Sequence, residues 1–356
     1  MRRKNLIAKT KAKKKELLVK DQKIKKIYLS FRHIIYKNLK RKNFALGVSG
    51  GSDSLCLSYF SKVYASEFKN KIHILIVNHK LRKESGSEAL RVKKILSKKA
   101  IKSEILHWKG SVPESNIQKN ARNIRYSLIY DYCKKNKIKY LITAHHMDDQ
   151  VENFFIRLFR GIGLTGLSSM HEISEYAKNL KIVRPFLTLK KEDLKYVTMK
   201  YFKEYIKDPS NKDEKYLRVR IRKYRKSMEK EGLDTSKIIN TVNNLLSANK
   251  ALSYYKNKAL YKYVSFLSKN KCVINKKIFS EEAGEIIFKS FSDIFSLISG
   301  KYYPPRSKKI VNLIERVKKT NFNKSTLGGC VVEESKNFIL ISKETNVKKI
   351  GYQPHK

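Results

Sequence analysis

Two stretches gather the residue types that do chemistry on phosphates and amines. The first is Ser49-Gly50-Gly51-Ser52-Asp53-Ser54, with three hydroxyls, two adjacent glycines and one acid. Adjacent glycines let the backbone approach a ligand with no side chain in the way. Apolar Phe44 to Val48 before the loop and Leu55 to Phe60 after it read as strand, tight loop, helix. The loop therefore runs into a helix N-terminus, whose free N–H groups and positive dipole end favour an anion such as phosphate. A Walker loop would need Gly-Lys-Ser/Thr at 52–54, and the chain has Ser-Asp-Ser. An acid beside a phosphate repels it unless a cation lies between, so Asp53 points to Mg²⁺.

The second stretch is Ala144-His145-His146-Met147-Asp148-Asp149-Gln150-Val151-Glu152-Asn153, which follows the strand-like Tyr140 to Thr143. Val151, Phe154, Phe155, Leu158 and Phe159 recur at helical spacing, so it opens an amphipathic helix. By that periodicity His145, Asp149 and Glu152 share one face. Two histidines and three acids are more polarity than a buried helix start carries. Metal binding is one reading, although the spacing is not the HExxH of a zinc helix. In another, the acids hold a cationic substrate and a histidine sits near a reacting phosphate. In a third, Asp148 and Asp149 only cap the helix.

The elements that must position these groups read as an α/β alternation. Ile72 to Val77 is a buried strand ending in Asn78-His79-Lys80-Leu81-Arg82. Ligands of open α/β sheets gather outside the carboxyl ends of strands, which puts His79 and Arg82 near a nucleotide. Glu84 to Lys99 reads as a helix, Ser103 to His107 as a strand, and a helix opens at Asn116. On that helix Arg122 and Arg125 are i, i+3 neighbours, able to face one phosphate or to lie on the surface. A further helix is expected near Lys190 to Tyr205. Arg218, Arg220 and Arg222 alternate with apolar residues, facing either phosphate or solvent. From Asp234 to Phe266 the pattern is helical, with Tyr254, Tyr255, Tyr261 and Tyr263 among lysines. Interleaved Tyr and Lys suit RNA base stacking, and at helical spacing they also suit half-buried packing.

The loop resembles the pyrophosphate loop of the ATP pyrophosphatases, or PP-loop enzymes, which activate a substrate by adenylation. GMP synthetase, asparagine synthetase, tRNA thiolation enzymes and tRNA(Ile)-lysidine synthetases share it. His79 with Leu81-Arg82 is similar to the Val-Asp-His-Gly-Leu-Arg motif, with Asn78 and Lys80 as departures. Ala121-Arg122 and Arg125-Tyr126 match a helix signature. The run from His145 to Glu152, followed by Arg160-Gly161-Ile162-Gly163-Leu164-Thr165-Gly166-Leu167, resembles the lysidine synthetase branch, with Asn153 and Ile162 where Thr is usual. Asp208-Pro209-Ser210-Asn211 and Arg218 to Arg222 resemble two later motifs, with Val219 in place of Asn, and Leu327-Gly328-Gly329-Cys330 resembles a C-terminal segment.

This resemblance implies an α/β fold. A parallel-sheet, Rossmann-like domain of the adenine nucleotide alpha hydrolase type would precede a helical domain and a small α/β segment. The expected division is a basic arm at 1–26, the catalytic domain at 27–225, a helical tRNA-binding domain at 226–270 and a C-terminal domain at 271–356. The implied reaction joins free L-lysine to the 2-position of the first anticodon cytidine of tRNA(Ile) with a CAU anticodon. ATP and Mg²⁺ serve it through an adenylated cytidine, with release of AMP and pyrophosphate. The resemblance implies ATP-binding by Ser49, Gly50, Gly51, Ser52, Asp53, Ser54, His79 and Arg122. It implies lysine-binding by Asp149, Glu152, Arg218 and Arg222, and catalytic roles for Asp53, His145 and Asp149. A tRNA thiolation enzyme or a non-catalytic basic tRNA-binding protein are the alternatives.

Composition agrees with a polyanionic partner. The 356 residues carry 80 Lys and Arg against 31 Asp and Glu, a net charge of +49. The four cysteines, Cys56, Cys133, Cys272 and Cys330, form no CxxC pair, which weighs against zinc, iron–sulfur clusters and a disulfide framework. Thiolation relatives usually add cysteine pairs. No run approaches the roughly 18 apolar residues of a bilayer span, so the expectation is a cytoplasmic protein with no membrane contact. A homodimer is compatible with the sequence, which does not fix oligomeric state.

Overall fold

The structure, a computed structural model, describes residues 18, 20–80, 84–110, 117–168, 170–177, 179–207, 213–301, 303–319 and 322–344. Residues 1–17 of the expected arm, Arg82, Asn116 and the Asp208 to Asn211 motif lie outside the described residues. The chain divides into two compact units, residues 1–243 and 244–356.

The first unit begins with α1 (Gln22–Leu39). Its N-cap, Asp21, accepts the Ile24 N–H at 3.0 Å. Ile24, Ile27, Tyr28, Phe31, Ile34 and Ile35 recur at helical spacing and are buried. There follow β1 (Phe44–Gly47), α2 (Ser52–Phe68), β2 (Ile72–Asn78), α3 (Ser85–Lys98), β3 (Glu104–His107), α4 (Ile117–Lys135) and β4 (Tyr140–Ile142). Then come α5 (Met147–Leu158), the short α6 (Leu164–Leu167), β5 (Ile173–Ala177), β6 (Leu180–Val183), α7 (Lys191–Phe202) and α8 (Leu217–Lys230).

The six strands are ordered β3-β2-β1-β4-β6-β5. All neighbours are parallel except β5 against β6. Alternate residues of each strand feed two cores, as a period of two requires. Phe44, Leu46, Ile74 and Ile76 pack with α1, α2, α3 and α7. Ala45, Leu75 and Leu141 pack with Ile129 and Cys133 of α4 on the other face. The sheet is thus doubly wound. The chain leaves β1 for β2 and β3, then returns to β4 on the opposite side. The crevice between β1 and β4 is the switch point where such folds bind ligands.

The second unit holds β7 (Val264–Ser268), β8 (Lys271–Asn275), α10 (Ile278–Glu281), α11 (Gly284–Ser299), α12 (Ser307–Val317), β9 (Lys324–Leu327), β10 (Cys330–Ser335) and β11 (Phe338–Lys343). Its antiparallel sheet is ordered β7-β8-β11-β10-β9. Cys272, Ile274, Cys330, Val332, Ile339 and Ile341 alternate inward against Phe291, Ile294 and Phe295 of α11 and Leu313 of α12.

One expectation needs correction. Helix α9 (Thr235–Tyr263) stops before Phe266, which lies on the edge strand β7 with its ring half exposed. The division between the two units falls inside α9. Ile238 and Val242 pack with Val151 of α5, whereas Ala259 and Tyr263 pack in the core of the second unit.

Candidate active site

A cavity of about 270 Å³ opens at the carboxyl ends of β1 and β4. The loop after β1 supplies one wall. Gly50 has φ +84°, and its carbonyl accepts the Ile206 N–H at 2.9 Å. A Cβ there would lie 2.6 Å from Val92 Cγ2, so only glycine fits both the backbone and the space. The Ser49 N–H donates to Ser54 Oγ at 3.2 Å, and Ser54 Oγ donates to the Gly51 carbonyl at 3.1 Å. Ser52 Oγ donates to Asp53 Oδ1 at 2.9 Å. Gly51 caps α2 without a side chain, leaving the first N–H groups of that helix facing the loop.

The opposite wall is the β4–α5 connection. Helix α5 starts at Met147, so His145 sits in the loop and not on the helical face expected for it. His145 and Asp149 line the cavity, as do His79, Arg122 and Arg125. Thr143 Oγ1 lies 2.9 Å from His145 Nδ1. His146 is almost wholly buried. Its Nε2 lies 3.5 Å from Asp53 Oδ2 and 3.4 Å from Asp149 Oδ2. The His146 backbone N–H also donates to Asp149 Oδ2, at 3.2 Å.

Helix α8 lies along α5 and carries the arginines. In a helix, Arg218, Arg222 and Arg225 share one face and Arg220 does not. Arg222 Nε meets Glu152 Oε1 at 2.6 Å and its Nη2 donates to Oε2 at 3.2 Å. Arg218 Nε stands 3.8 Å from Glu152 Oε2. Arg225 Nη1 donates to Asp148 Oδ1 at 2.5 Å, and the Lys191 N–H donates to Asp148 Oδ2 at 3.0 Å. Arg220 instead donates to the Glu214 carbonyl.

These contacts set the charges. Burial alone would raise the Asp53 carboxyl, but His146 and the Ser52 hydroxyl outweigh it and hold it below the usual carboxylate range. Burial works against a His146 imidazolium, yet Asp53, Asp149 and Asp148 together raise its pKa. His145 goes the other way. Burial, helped by Arg184, Arg122 and Arg218 and opposed by Asp149, pushes it down to about 4, so it is uncharged at neutral pH. Burial also disfavours the Asp148 carboxylate, but the Arg225 hydrogen bond, the Lys191 N–H and the charges of Arg225 and His146 together hold it below the usual range.

Residues 21–226 match the PP-loop domain family. The chain is 35% identical over 317 residues to the tRNA(Ile)-lysidine synthase of Orientia tsutsugamushi (strain Boryong), covering 84% of this chain and 69% of that one. It is 33% identical over 323 residues to the tRNA(Ile)-lysidine synthase of Wolbachia pipientis wMel, covering 89% and 74%. The chain belongs to the tRNA(Ile)-lysidine synthase family of PP-loop enzymes. Lysidine synthases are ATP-dependent ligases, and the matched domain is the one that uses ATP. Among solved structures the fold is similar to the U34-tRNA thiolase NcsA from Methanococcus maripaludis, with a TM-score of 0.55 at 19% identity over 63% of this chain and 80% of that one.

The lysidine synthase motifs divide in two in space. Ser49, Gly51, Asp53, Ser54, His79, Arg122, His145 and Asp149 meet at the cavity. Gly50 and Ser52 shape the loop from behind it. Glu152, Arg218 and Arg222 form a separate cluster between α5 and α8 and are not part of the cavity lining. The sequence singles out neither His146 nor Arg225, and offers Asp148 only as a helix cap or as one of the acids that hold a cationic substrate. His146 and Asp148 stood inside the motif, and Arg225 follows Arg222 by one helical turn. Among the described residues no group of three or more His, Cys, Asp or Glu is arranged to hold a metal unaided. Mg²⁺ bound beside phosphates needs only one or two carboxylates, and an ionised Asp53 with Asp149 fits that requirement.

Proposed function

We propose that this chain ligates L-lysine to C2 of the cytidine at the first anticodon position of tRNA(Ile) with a CAU anticodon. The observation that carries the reading is the meeting of the Ser49–Ser54 loop, Asp53, Asp149 and His145 around one cavity, in a chain of the lysidine synthase family.

The chemistry asks for what these residues offer. A carbonyl oxygen is a poor leaving group. Its attack on the α-phosphorus of ATP forms an O–P bond, breaks the bond to pyrophosphate and turns it into a good one. Ser49, Ser54 and the first N–H groups of α2 would hold the departing pyrophosphate. Asp53 and Asp149 would hold Mg²⁺, which when bound offsets charge on the phosphates. Arg122 and Arg125 face the same cavity with cationic side chains. The lysine side-chain amine then bonds to C2, and AMP leaves with the former carbonyl oxygen. Asp149 would orient the amine. The uncharged His145 has a lone pair with which to accept its proton. Glu152 with Arg218 and Arg222 would receive the zwitterionic end of lysine.

Three tyrosines of α9 support an RNA-binding role for the second unit. Tyr254, Tyr255 and Tyr261 are 66%, 55% and 93% exposed, so they are not packing residues. Exposed rings among lysines suit base stacking with phosphate neutralisation. The cysteines count against sulfur transfer. All four are buried, burial pushes their thiols up, and none lines the cavity.

Incubation with labelled lysine, ATP and a CAU tRNA(Ile) transcript tests the proposal. Incorporation of lysine with equimolar AMP is expected. Sulfide as the productive nucleophile, or tRNA binding with no AMP release, would overturn it.

A further inference from the structure

His146 touches two of the acids that line the cavity, Asp53 and Asp149, and they come from different elements. Asp53 opens α2 and Asp149 lies in the first turn of α5. Two carboxylates converging on one cavity repel each other and would repel an incoming triphosphate. The ring nitrogen Nε2 stands between them, 3.5 Å from Asp53 Oδ2 and 3.4 Å from Asp149 Oδ2. The other Asp53 oxygen takes the Ser52 hydroxyl at 2.9 Å, so the carboxylate is gripped from two sides.

The ring is itself held. His146 pairs through its backbone with Phe186, and the neighbouring Met147 N–H donates to the Leu189 carbonyl at 2.9 Å. Its second nitrogen, Nδ1, lies 3.6 Å from Asp148 Oδ2, an ion-pair distance too long for a hydrogen bond. Asp148 is fixed in turn by the Lys191 N–H and by Arg225 of α8. A chain of contacts thus runs from α8 through Asp148 and His146 to Asp53 and Asp149.

We propose that His146 is a positioning residue: its Nε2–H sets Asp53 and Asp149 in the orientation that serves both halves of the reaction. This rests on the ligase reading above. The residue touches none of the three substrates in that reading and acts through the two carboxylates. Groups that orient charged site residues typically cost 10–100-fold when removed.

The test compares His146→Ala, His146→Gln and His146→Asn in the full chain. A Gln amide nitrogen reaches close to where Nε2 sits, whereas an Asn amide nitrogen falls near Nδ1. For His146→Ala, kcat for lysine incorporation should fall about 100-fold, with the KM for tRNA within about twofold of the parent. His146→Gln should recover at least about tenfold of that loss and His146→Asn should not. An undiminished kcat in His146→Ala, or equal activity in the Gln and Asn variants, overturns the proposal. Should His146→Ala not fold, the Gln and Asn pair decides alone. Should the parent chain incorporate no lysine, the ligase reading fails and affinity for ATP with Mg²⁺ becomes the readout. Affinity weakened in Asn and restored in Gln upholds His146, and equal affinities overturn it.

Discussion

Glu152 and Arg222 hold each other in a two-pronged ion pair, at 2.6 and 3.2 Å, with the carboxylate only 2% exposed. The family resemblance implies that both bind lysine, and here each satisfies the other. An amino acid carries the same two charges, so it can enter by exchanging partners with this pair. Arg222→Met strands a buried carboxylate and should cost about 3 kcal/mol in chemical denaturation. The double variant with Glu152→Gln should recover much of that stability while its KM for lysine stays at least about tenfold raised. A double variant with the parent KM would remove the pair from the lysine site.

The two loop glycines should fail in different ways. Gly50→Ala meets Val92 at 2.6 Å and forces φ +84° on an L-residue, so it should lower stability by more than about 1 kcal/mol. Gly51 has an ordinary φ of −68°, and its nearest neighbour to a new Cβ is Ser49 Oγ at 3.8 Å. Gly51→Ala should therefore melt like the parent and raise the KM for ATP, because Gly51 lines the cavity and an added methyl would take up space there. Nucleotide titrations beside thermal melts check both.

Acid should loosen the α5–α8 junction. The folded pKa of Asp148 is lowered, so its contribution is complete above the ordinary carboxylate range near 4 and is lost as pH falls below it. Urea midpoints should drop between about pH 5 and 3, and Asp148→Asn should flatten part of that slope. An unchanged slope would separate Asp148 from acid unfolding. His145, held down to about 4, should add no limb to the rate profile between about pH 6 and 8, a range that lies wholly above its pKa.

The exposed tyrosines give a prediction for RNA. Tyr261→Ala should change stability by less than about 0.5 kcal/mol, as expected of a surface side chain. If its ring stacks on a base, the KM for tRNA should rise about fivefold or more, and the KM for lysine should not move. An unaltered KM for tRNA would assign these rings to another surface role.

Much of the cavity was legible because its chemistry is local in sequence. The loop from Ser49 to Ser54 announces itself by an apolar run that stops at two glycines, and Asp149 by its place at a strand's end. Where helical periodicity was carried through the cap, it misled. Since α5 begins at Met147, His145 and Glu152 do not share a face. Arg225 was invisible for a different reason, since its partner Asp148 is 77 residues away. Strands β5 and β6 escaped notice because they are four or five residues long and carry Glu175 and Lys181. Strand β7 escaped because the helical pattern carries on through Val264 to Phe266, whose ring is exposed rather than in a core.

The central claim is that the cytidine carbonyl oxygen attacks the α-phosphorus of ATP while the Ser49–Ser54 loop holds the pyrophosphate. A tRNA whose target cytidine carries ¹⁸O at the 2-position tests this most directly. Analysed by mass spectrometry after one round of ligation, the released AMP should contain the label and the pyrophosphate should not. Label in pyrophosphate, in inorganic phosphate or retained in the tRNA would contradict the account.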